Sequence, residues 1–261
     1  MQSMANQARE RYERDGFVVF RNVLDQELME EAKMHVDWLL RKHPDLRPEQ
    51  LHTALVREDP FWVRLVGDDR LLDIAEMFIG PNIALFASHY ICKPPSDGQA
   101  VLWHQDGAFW PLKPMNVITL WLAVDDSVPE NGCLRVIPGT HRIDLQQYRK
   151  RNDVPNVLEY EIDPEFVDES KAVDVVLKSG DVSIHHPNII HGSNANHSTM
   201  RRCGLTIRYI PTDTEITDNS PDKSSAFLLR GQAKPGINQY LPFPKWDKDK
   251  HFPFRGCEAW T

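Results

Sequence analysis

No apolar run in these 261 residues approaches the roughly 20 residues that span a bilayer as a helix. The first stretch, Met1-Gln2-Ser3-Met4-Ala5-Asn6-Gln7, is polar and has no apolar signal region. The chain is therefore read as cytoplasmic, with no membrane partner. Basic charge is also short. A formal net charge of −8 leaves no footprint for a phosphate backbone and argues against nucleic-acid binding. Cysteine is scarce: Cys92, Cys133, Cys203 and Cys257 form no C-x-x-C pair, which disfavours a zinc ribbon or a thioredoxin-like site. Three of the four lie in apolar, strand-like runs. The set is expected to be small buried hydrophobes, neither ligands nor disulfides. Internal repeats and low-complexity tracts are absent. What remains is an ordinary globular composition, 41% hydrophobic, enough to fill the core of one domain.

Hydrophobic periodicity divides that domain. Residues 5–15 are polar and compatible with a helix. Asp15-Gly16 is a turn and Phe17-Val18-Val19-Phe20 a short strand. Asp25 is placed to cap a helix over 27–40, with Leu28, Ala32, Val36 and Leu39 on its buried face. A second amphipathic helix is expected over 60–79, stopped by Gly80-Pro81-Asn82. Strands follow over 83–92, 101–106, 117–124, 133–137, 173–177, 182–186 and 205–210. Residues 142–172 have no clear period and are polar, then acidic. An irregular insertion of that length is usually functional or mobile, so it is expected to cover the mouth of a site, with a solvated surface loop as the alternative. The organisation expected is one domain: a helical buttress and first strand over 1–82, a barrel core over 83–210, and a tail over 211–261. That tail, rich in proline and aromatics, is expected to wrap the outside or partly lid the site.

One stretch carries chemistry: Trp103-His104-Gln105-Asp106-Gly107-Ala108-Phe109-Trp110-Pro111. A two-residue step along a strand puts two side chains on the same face, so His104 and Asp106 can address one metal ion. His191, in His186-Pro187-Asn188-Ile189-Ile190-His191-Gly192-Ser193, can close a triangle. Two imidazoles and one carboxylate on one face are the ligand set of non-haem Fe(II) oxygenases. An isolated H-x-D pair is a weak signal; its context strengthens it. Arg202 comes eleven residues after His191, and a guanidinium pairs bidentately with a carboxylate. Arg201 is its rival, since alternation lets only one of the two point inward.

Four separated motifs, in order, resemble the phytanoyl-CoA dioxygenase family. They are Asp15-Gly16-Phe17-Val18-Val19-Phe20-Arg21; Ile91-Cys92-Lys93-Pro94-Pro95 through Trp103-His104-Gln105-Asp106; Asn131-Gly132-Cys133-Leu134-Arg135-Val136-Ile137-Pro138-Gly139-Thr140-His141; and His191-Gly192-Ser193-Asn194-x-Asn196 with Arg202 behind it. The likeness runs over roughly residues 8 to 210. It implies a mainly β fold with flanking helices, a double-stranded β-helix or jelly-roll, cupin-like barrel. It further implies an Fe(II)- and 2-oxoglutarate-dependent dioxygenase that uses dioxygen and releases succinate and CO2.

By this resemblance His104, Asp106 and His191 hold iron. Arg202 takes the distal carboxylate of 2-oxoglutarate with Ser193 beside it, and Trp121 lines that pocket. Lys93, His89 and the neighbourhood of His52 help hold the cosubstrate. Related halogenases have a small residue where Asp106 stands, so the carboxylate implies hydroxylation. Phe109, Trp110 and Asn116 are placed either to border a substrate or to pack in the core. If the last strand is regular, Arg208 faces inward with Arg202, leaving a cation beyond the one the cosubstrate needs; Arg57 and Arg64 are further candidates. A small anionic substrate, a carboxylate or phosphonate, would satisfy it; the alternative is a partner such as Asp125 or Asp126. His185 and His186 are read as lying on a strand leading to the ligand, one of them facing outward. His35, His43, His141, His197 and His251 are given surface or structural roles. Two other functions stay open: a non-catalytic ligand-binding barrel, and a metal-dependent isomerase or hydrolase on a cupin-like barrel.

Overall fold

The structure, a computed structural model, describes residues 2–218 and 225–261. It opens with a helix, α1 (Gln2–Asp15), and a strand, β1 (Phe17–Phe20). In α2 (Gln26–Lys42) the Asp25 carboxylate accepts from the Leu28 N–H at 2.9 Å, and Leu28, Ala32, Val36 and Leu39 are buried at the expected spacing. A single turn, α3 (Thr53–Val56), precedes α4 (Pro60–Val66) and α5 (Asp69–Ile79). The one helix expected over 60–79 is thus two. Gly67 ends α4, and Asp68 starts α5 afresh, its carboxylate accepting from the Arg70 N–H at 3.0 Å. That spare carboxylate and a glycine, side by side, are a stop and a start signal inside an unbroken apolar pattern.

The strands are β2 (Ile83–Lys93), β3 (Val101–His104), β4 (Leu112–Lys113), β5 (Ile118–Ala123), β6 (Leu134–Val136), β7 (Tyr148–Lys150) and β8 (Tyr160–Ile162). After them come β9 (Val173–Val175), β10 (Val182–His185), β11 (His191–Ser193), β12 (Arg202–Pro211), β13 (Glu215–Ile216), β14 (Ser225–Arg230) and β15 (Gln239–Tyr240). A large sheet has the order β1-β10-β5-β12-β2-β14-β15, and a smaller one β3-β11-β6-β9. This is the jelly-roll arrangement of a double-stranded β-helix. Two minor pairs, β13-β4 and β7-β8, sit outside these sheets.

Alternation assigns the faces of the large sheet. Ile118, Leu120 and Leu122 of β5, Leu205, Ile207 and Tyr209 of β12, and Val182 and Ile184 of β10 join one buried cluster with the apolar faces of α2, α4 and α5. Trp121 and Ala123 turn the other way, toward Leu134, Val136, Val175 and Leu177. The helices therefore cover one face of the sheet and leave the other free to wall a cavity.

The expectation for the cysteines needs correction. Cys92 and Cys203 are register partners on β2 and β12, with Cα atoms 3.9 Å apart, and they form a disulfide with an S–S distance of 1.97 Å. Cys133 and Cys257 are free and buried, as expected. His35 takes the structural one of the two roles expected for it. It is fully buried against Phe61 and Trp62, with Nε2 2.8 Å from Asp59 Oδ2 and Nδ1 3.3 Å from the Tyr90 hydroxyl; its role is structural. The tail packs against the sheet edge and the helical layer. It contributes β14 beside β2 and packs Phe252, Phe254 and Cys257 onto the helical layer, although residues 219–224 of it lie outside the described residues. No helix among the described residues is long and apolar enough to cross a membrane.

Candidate active site

The two ends of the metal-ligand motif are brought together by pairing between β3 and β11, in which His104 and His191 are register partners. Gly192 permits that approach: a Cβ there would lie 2.8 Å from the Val101 carbonyl oxygen. β3 stops at His104, and the chain turns into a short 3-10 segment, Asp106–Ala108. Gln105 anchors the turn. Its Nε2 donates to the Asn188 carbonyl at 2.8 Å, and its Oε1 accepts from the Gln146 N–H at 2.8 Å. The Gly107 N–H donates to the Pro187 carbonyl at 2.8 Å. The loop that leads into His191 thus also holds the turn that presents Asp106.

The imidazole and carboxylate atoms of His104, Asp106 and His191 lie within 4.8 Å of one another, and all three residues are buried. His104 Nε2 is 3.5 Å from Asp106 Oδ1, and His191 Nε2 is 3.9 Å from Asp106 Oδ2. Both histidines are tied from behind. His104 Nδ1 donates to the Leu102 carbonyl at 2.8 Å and His191 Nδ1 to the Ile189 carbonyl at 3.0 Å. A carbonyl can only accept, so each Nδ1 carries a proton and each Nε2 is the ring nitrogen left to face a metal. Burial, with His104 and His185 adding to it, pushes the His191 pKa well below the usual histidine range, so its ring is neutral. Burial pushes the Asp106 carboxyl up, but His104, His185 and the charge of Arg208 outweigh it and hold it well below the usual carboxylate range. Thr119 Oγ1 adds a hydrogen bond to Asp106 Oδ2 at 3.3 Å. Two imidazoles turned toward the same point and an ionised carboxylate fit a divalent iron ion with positions left open.

Beside them lies an arginine pocket. Arg202 is 2% exposed. Its Nε donates to the Gly132 carbonyl at 3.1 Å, Nη1 to the Ile91 carbonyl at 3.2 Å and Nη2 to Ser193 Oγ at 3.3 Å. The guanidinium sits 5.5 Å from the Trp121 ring centre. Burial lowers its pKa to about 10, which leaves it charged at neutral pH with no carboxylate paired to it among the described residues. Arg201 points the other way, paired with Asp125 at 2.7 Å and Asp37 at 2.7 Å. Lys93 stands behind Ser193 and not in the cavity wall. Its Nζ donates to Ser193 Oγ at 2.7 Å and to the Asn194 carbonyl. Burial, then the charge of Arg202, pushes its pKa down to about 5. Gly204, in register with Ala123 next to Trp121, lets the indole lie against β12, because a Cβ there would be 1.9 Å from Trp121 Cζ2.

All of this opens into one cavity of about 460 Å³, within the usual range for a small-molecule site. His104, Asp106, His191, Arg202, Ser193, Trp121, His89, Phe109, Trp110 and Arg208 line it, with His52 at its rim. Asn116 does not. It is exposed in the turn after Pro114, where its N–H is taken by the Pro114 carbonyl, and it is not part of the cavity wall. Arg57 and Arg64 are also absent from the wall; Arg64 is paired with Glu31 at 2.9 Å. Trp103 packs away from the metal face against Ile137, Ile162 and Ile190. Val157 and Leu158 of the 142–172 segment reach the cavity, and Tyr148 is hydrogen-bonded to the Gln105 backbone at 2.6 and 3.0 Å.

His185 is the residue that sequence reasoning missed. It is 2% exposed, lines the cavity, and has Nε2 3.6 Å from Asp106 Oδ2, with no hydrogen bond from either ring nitrogen. His186 faces outward toward His141. The signal was in the alternation of β10: Val182 and Ile184 belong to the outer cluster, so Ser183 and His185 must face in.

The family model for phytanoyl-CoA dioxygenase (PhyH) matches residues 12–204. A probable alpha-ketoglutarate-dependent hypophosphite dioxygenase of Stutzerimonas stutzeri is 33% identical over 151 residues, 57% of this chain and 52% of that protein. The match thus spans about half the length of that relative. The peroxisomal phytanoyl-CoA dioxygenase of Rattus norvegicus is 27% identical over 229 residues, 77% of this chain and 67% of that protein. Among solved structures, the apo form of the non-heme monooxygenase ThoJ superposes with a TM-score of 0.76 at 26% identity, covering 90% of this chain and 87% of that one. With the family model spanning most of the chain, and the fold and site geometry in agreement, this chain belongs to the phytanoyl-CoA dioxygenase family.

Proposed function

We propose that the chain is an Fe(II)- and 2-oxoglutarate-dependent dioxygenase that hydroxylates a small molecule. The observation that carries this reading is the pairing of a buried His-Asp-His cluster, whose two Nε2 atoms are free for a metal, with a buried arginine lacking a carboxylate partner in the same cavity. His104, Asp106 and His191 are the iron ligands in this reading. Arg202 and Ser193 receive the distal carboxylate of 2-oxoglutarate, Trp121 packs along it, and Lys93 fixes Ser193 from behind. His89 is farther along the wall, on the Arg208 side. Iron with 2-oxoglutarate and dioxygen supplies the oxidising power for a C–H bond, with succinate and CO2 as coproducts.

The protein's own part is to hold and to exclude. The two backbone carbonyls behind the histidines fix ring orientation, which sets the metal geometry before anything binds. Arg202 is aimed by three hydrogen bonds and so is preorganised for a carboxylate. The retained Asp106 favours hydroxylation over halogenation. Residues 142–172 belong to the proposal as a cover: Val157 and Leu158 add apolar wall, and the Tyr148 contact docks the segment on Gln105. Water exclusion by such a cover protects reactive chemistry. An isomerase or hydrolase that works without 2-oxoglutarate would have no use for Arg202 in the wall, and a non-catalytic barrel none for the Nε2 pair that faces the metal position.

The test is an anaerobic titration of metal-free protein with Fe(II) and then 2-oxoglutarate, followed by the visible metal-to-ligand charge-transfer band. Wild type should develop the band, His191→Ala should lose it, and Arg202→Ala should need far more 2-oxoglutarate. Iron binding without the band would move the reading to isomerase or hydrolase chemistry, and no iron binding to a ligand-binding barrel.

A further inference from the structure

Arg208 is the second buried cation of the cavity, and among the described residues no carboxylate lies within ion-pair distance of it. It follows Arg202, Gly204 and Thr206 on the inward face of β12 and is 7% exposed. Its guanidinium lies 5.1 Å from the Trp110 ring centre. Nη1 donates to Thr206 Oγ1 at 3.1 Å and faces His89 Nδ1 at 3.3 Å. Its Nε is buried and has no hydrogen-bond partner. Among the described residues no carboxylate forms an ion pair with it. Asp125 is engaged by Arg201, and Asp126 accepts from the Ser179 N–H. Asp106 senses its charge but is placed to serve the metal. A guanidinium has five N–H donors, and the contacts above use only part of them. A buried, unpaired charge is costly, so a cation held this way in a cavity wall is best accounted for by a ligand that supplies the missing charge.

The cosubstrate does not account for it. The Arg202 head is held by Ile91, Gly132 and Ser193, and the Arg208 head by Thr206 and His89. Thr119, the register partner of Arg208 on β5, touches Asp106. One arginine is therefore on the Ser193 side of the metal ligands and the other on the Thr119 side. We propose that Arg208, with Thr206 and His89 beside it, is the anchor for the anionic end of the substrate, an oxyanion-bearing small molecule. This rests on the dioxygenase reading and adds to it the substrate's chemical class and orientation. Phe86 and Trp110, which pack near one another, with Ala87, form the adjoining apolar wall, so the group next to the anion is a short carbon skeleton. The anion is a carboxylate or a phosphonate; both present two or more oxygens to the guanidinium fork.

The experiment uses full-length protein and three probes: butyrate, methylphosphonate and the neutral isostere butyramide. Thermal shift with each probe is measured on metal-free wild type, Arg208→Gln and Arg208→Lys. Succinate formation is then measured on the iron-loaded forms. Wild type should be stabilised, and its succinate formation stimulated, by one or both anions and not by the amide. Arg208→Gln should weaken anion binding by about tenfold or more, the cost of a lost charge-assisted contact, and Arg208→Lys should retain part of it. Without any probe, Arg208→Gln should melt no lower than wild type, because it removes an uncompensated charge. Equal responses to butyrate and butyramide, or no response to either anion, would overturn the proposal. So would an Arg208→Gln variant that binds anions normally. A variant that loses 2-oxoglutarate affinity as Arg202→Ala does would assign Arg208 to the cosubstrate instead. Failure of the dioxygenase reading is separate: the charge-transfer band and succinate would be missing while the anion-specific thermal shift persisted.

Discussion

Gly204→Ala tests the most demanding contact in the cosubstrate pocket. The added Cβ would lie 1.9 Å from Trp121 Cζ2, 2.3 Å from Cε2 and 2.6 Å from Cη2. Carbon atoms rest about 3.5 Å apart, so the indole must retreat by about 1.5 Å. The ring lines the cavity, so it would be pushed into the space proposed above for 2-oxoglutarate. Overpacking of this kind costs about 1–3 kcal/mol, which for a domain of this size lowers Tm by roughly 2–12 °C. A misplacement of about an ångström beside a binding group also weakens 2-oxoglutarate on the order of tenfold. Thermal denaturation of the metal-free protein reads the first effect, and charge-transfer titration the second. The atoms that clash belong to the six-membered ring of the indole, so Trp121→Phe in the Gly204→Ala background should recover part of the lost Tm, a non-additive pair. An unchanged Tm and unchanged cosubstrate affinity in Gly204→Ala, or simple additivity in the double variant, would refute the reasoning.

Arg201→Ala should leave 2-oxoglutarate affinity within about twofold while lowering stability by about 1–2 kcal/mol through loss of the Asp125 and Asp37 pairs; chemical denaturation and the charge-transfer titration separate the two. Lys93 gives the metal-free protein a pH-dependent cost. Its folded pKa is pushed down to about 5 from an ordinary 10.5, so over that window the unfolded chain binds a proton that the native state does not. Stability should therefore fall as pH is lowered from about 10 toward 5 and level off below. In Lys93→Met the fall should be shallower, and parallel curves for the two proteins would show that Lys93 is not the cause. Tyr148→Phe removes a hydroxyl that bonds Gln105 twice. Limited proteolysis within 142–172 should speed severalfold, as expected for loss of about 1 kcal/mol of local stability, and an unchanged rate would mean that this contact does not hold the segment down.

Much of the site was legible because period-two alternation is a strong constraint. It allowed only one of Arg201 and Arg202 to point inward and put Arg208 on the same face as Arg202; His104 and Asp106 do meet, but Asp106 does so from the turn after β3 and not from the strand. The same rule applied to β10 would have found His185; its position beside a second histidine obscured it. Other features depended on pairing that local pattern does not encode. Cys92 and Cys203 face one another only because β2 and β12 are neighbours, with 111 residues between them in sequence. β14 likewise joins the sheet only through its pairing with β2, a segment far from it in sequence. Asn116 follows the ligand motif closely in sequence, but the turn at Pro114 carries it to the surface. The break between α4 and α5 was written in Gly67 and Asp68 and was outweighed by the apolar periodicity around them.

The clasp between Gln105 and Asn188 also has a consequence for how the protein is made. His104 and Asp106 leave the ribosome long before His191, and β3 has its partner only when β11 arrives. Until then no partial chain presents more than two of the three ligands, and neither the β3–β11 pairing nor the Pro187–Asn188 loop exists to orient them. Nascent protein thus offers iron no finished site. Metal capture belongs to the completed fold, after a closure between distant segments of the kind that makes folding slow. A chain stalled or truncated before His191 would be a poor iron binder and not a source of uncontrolled oxidation.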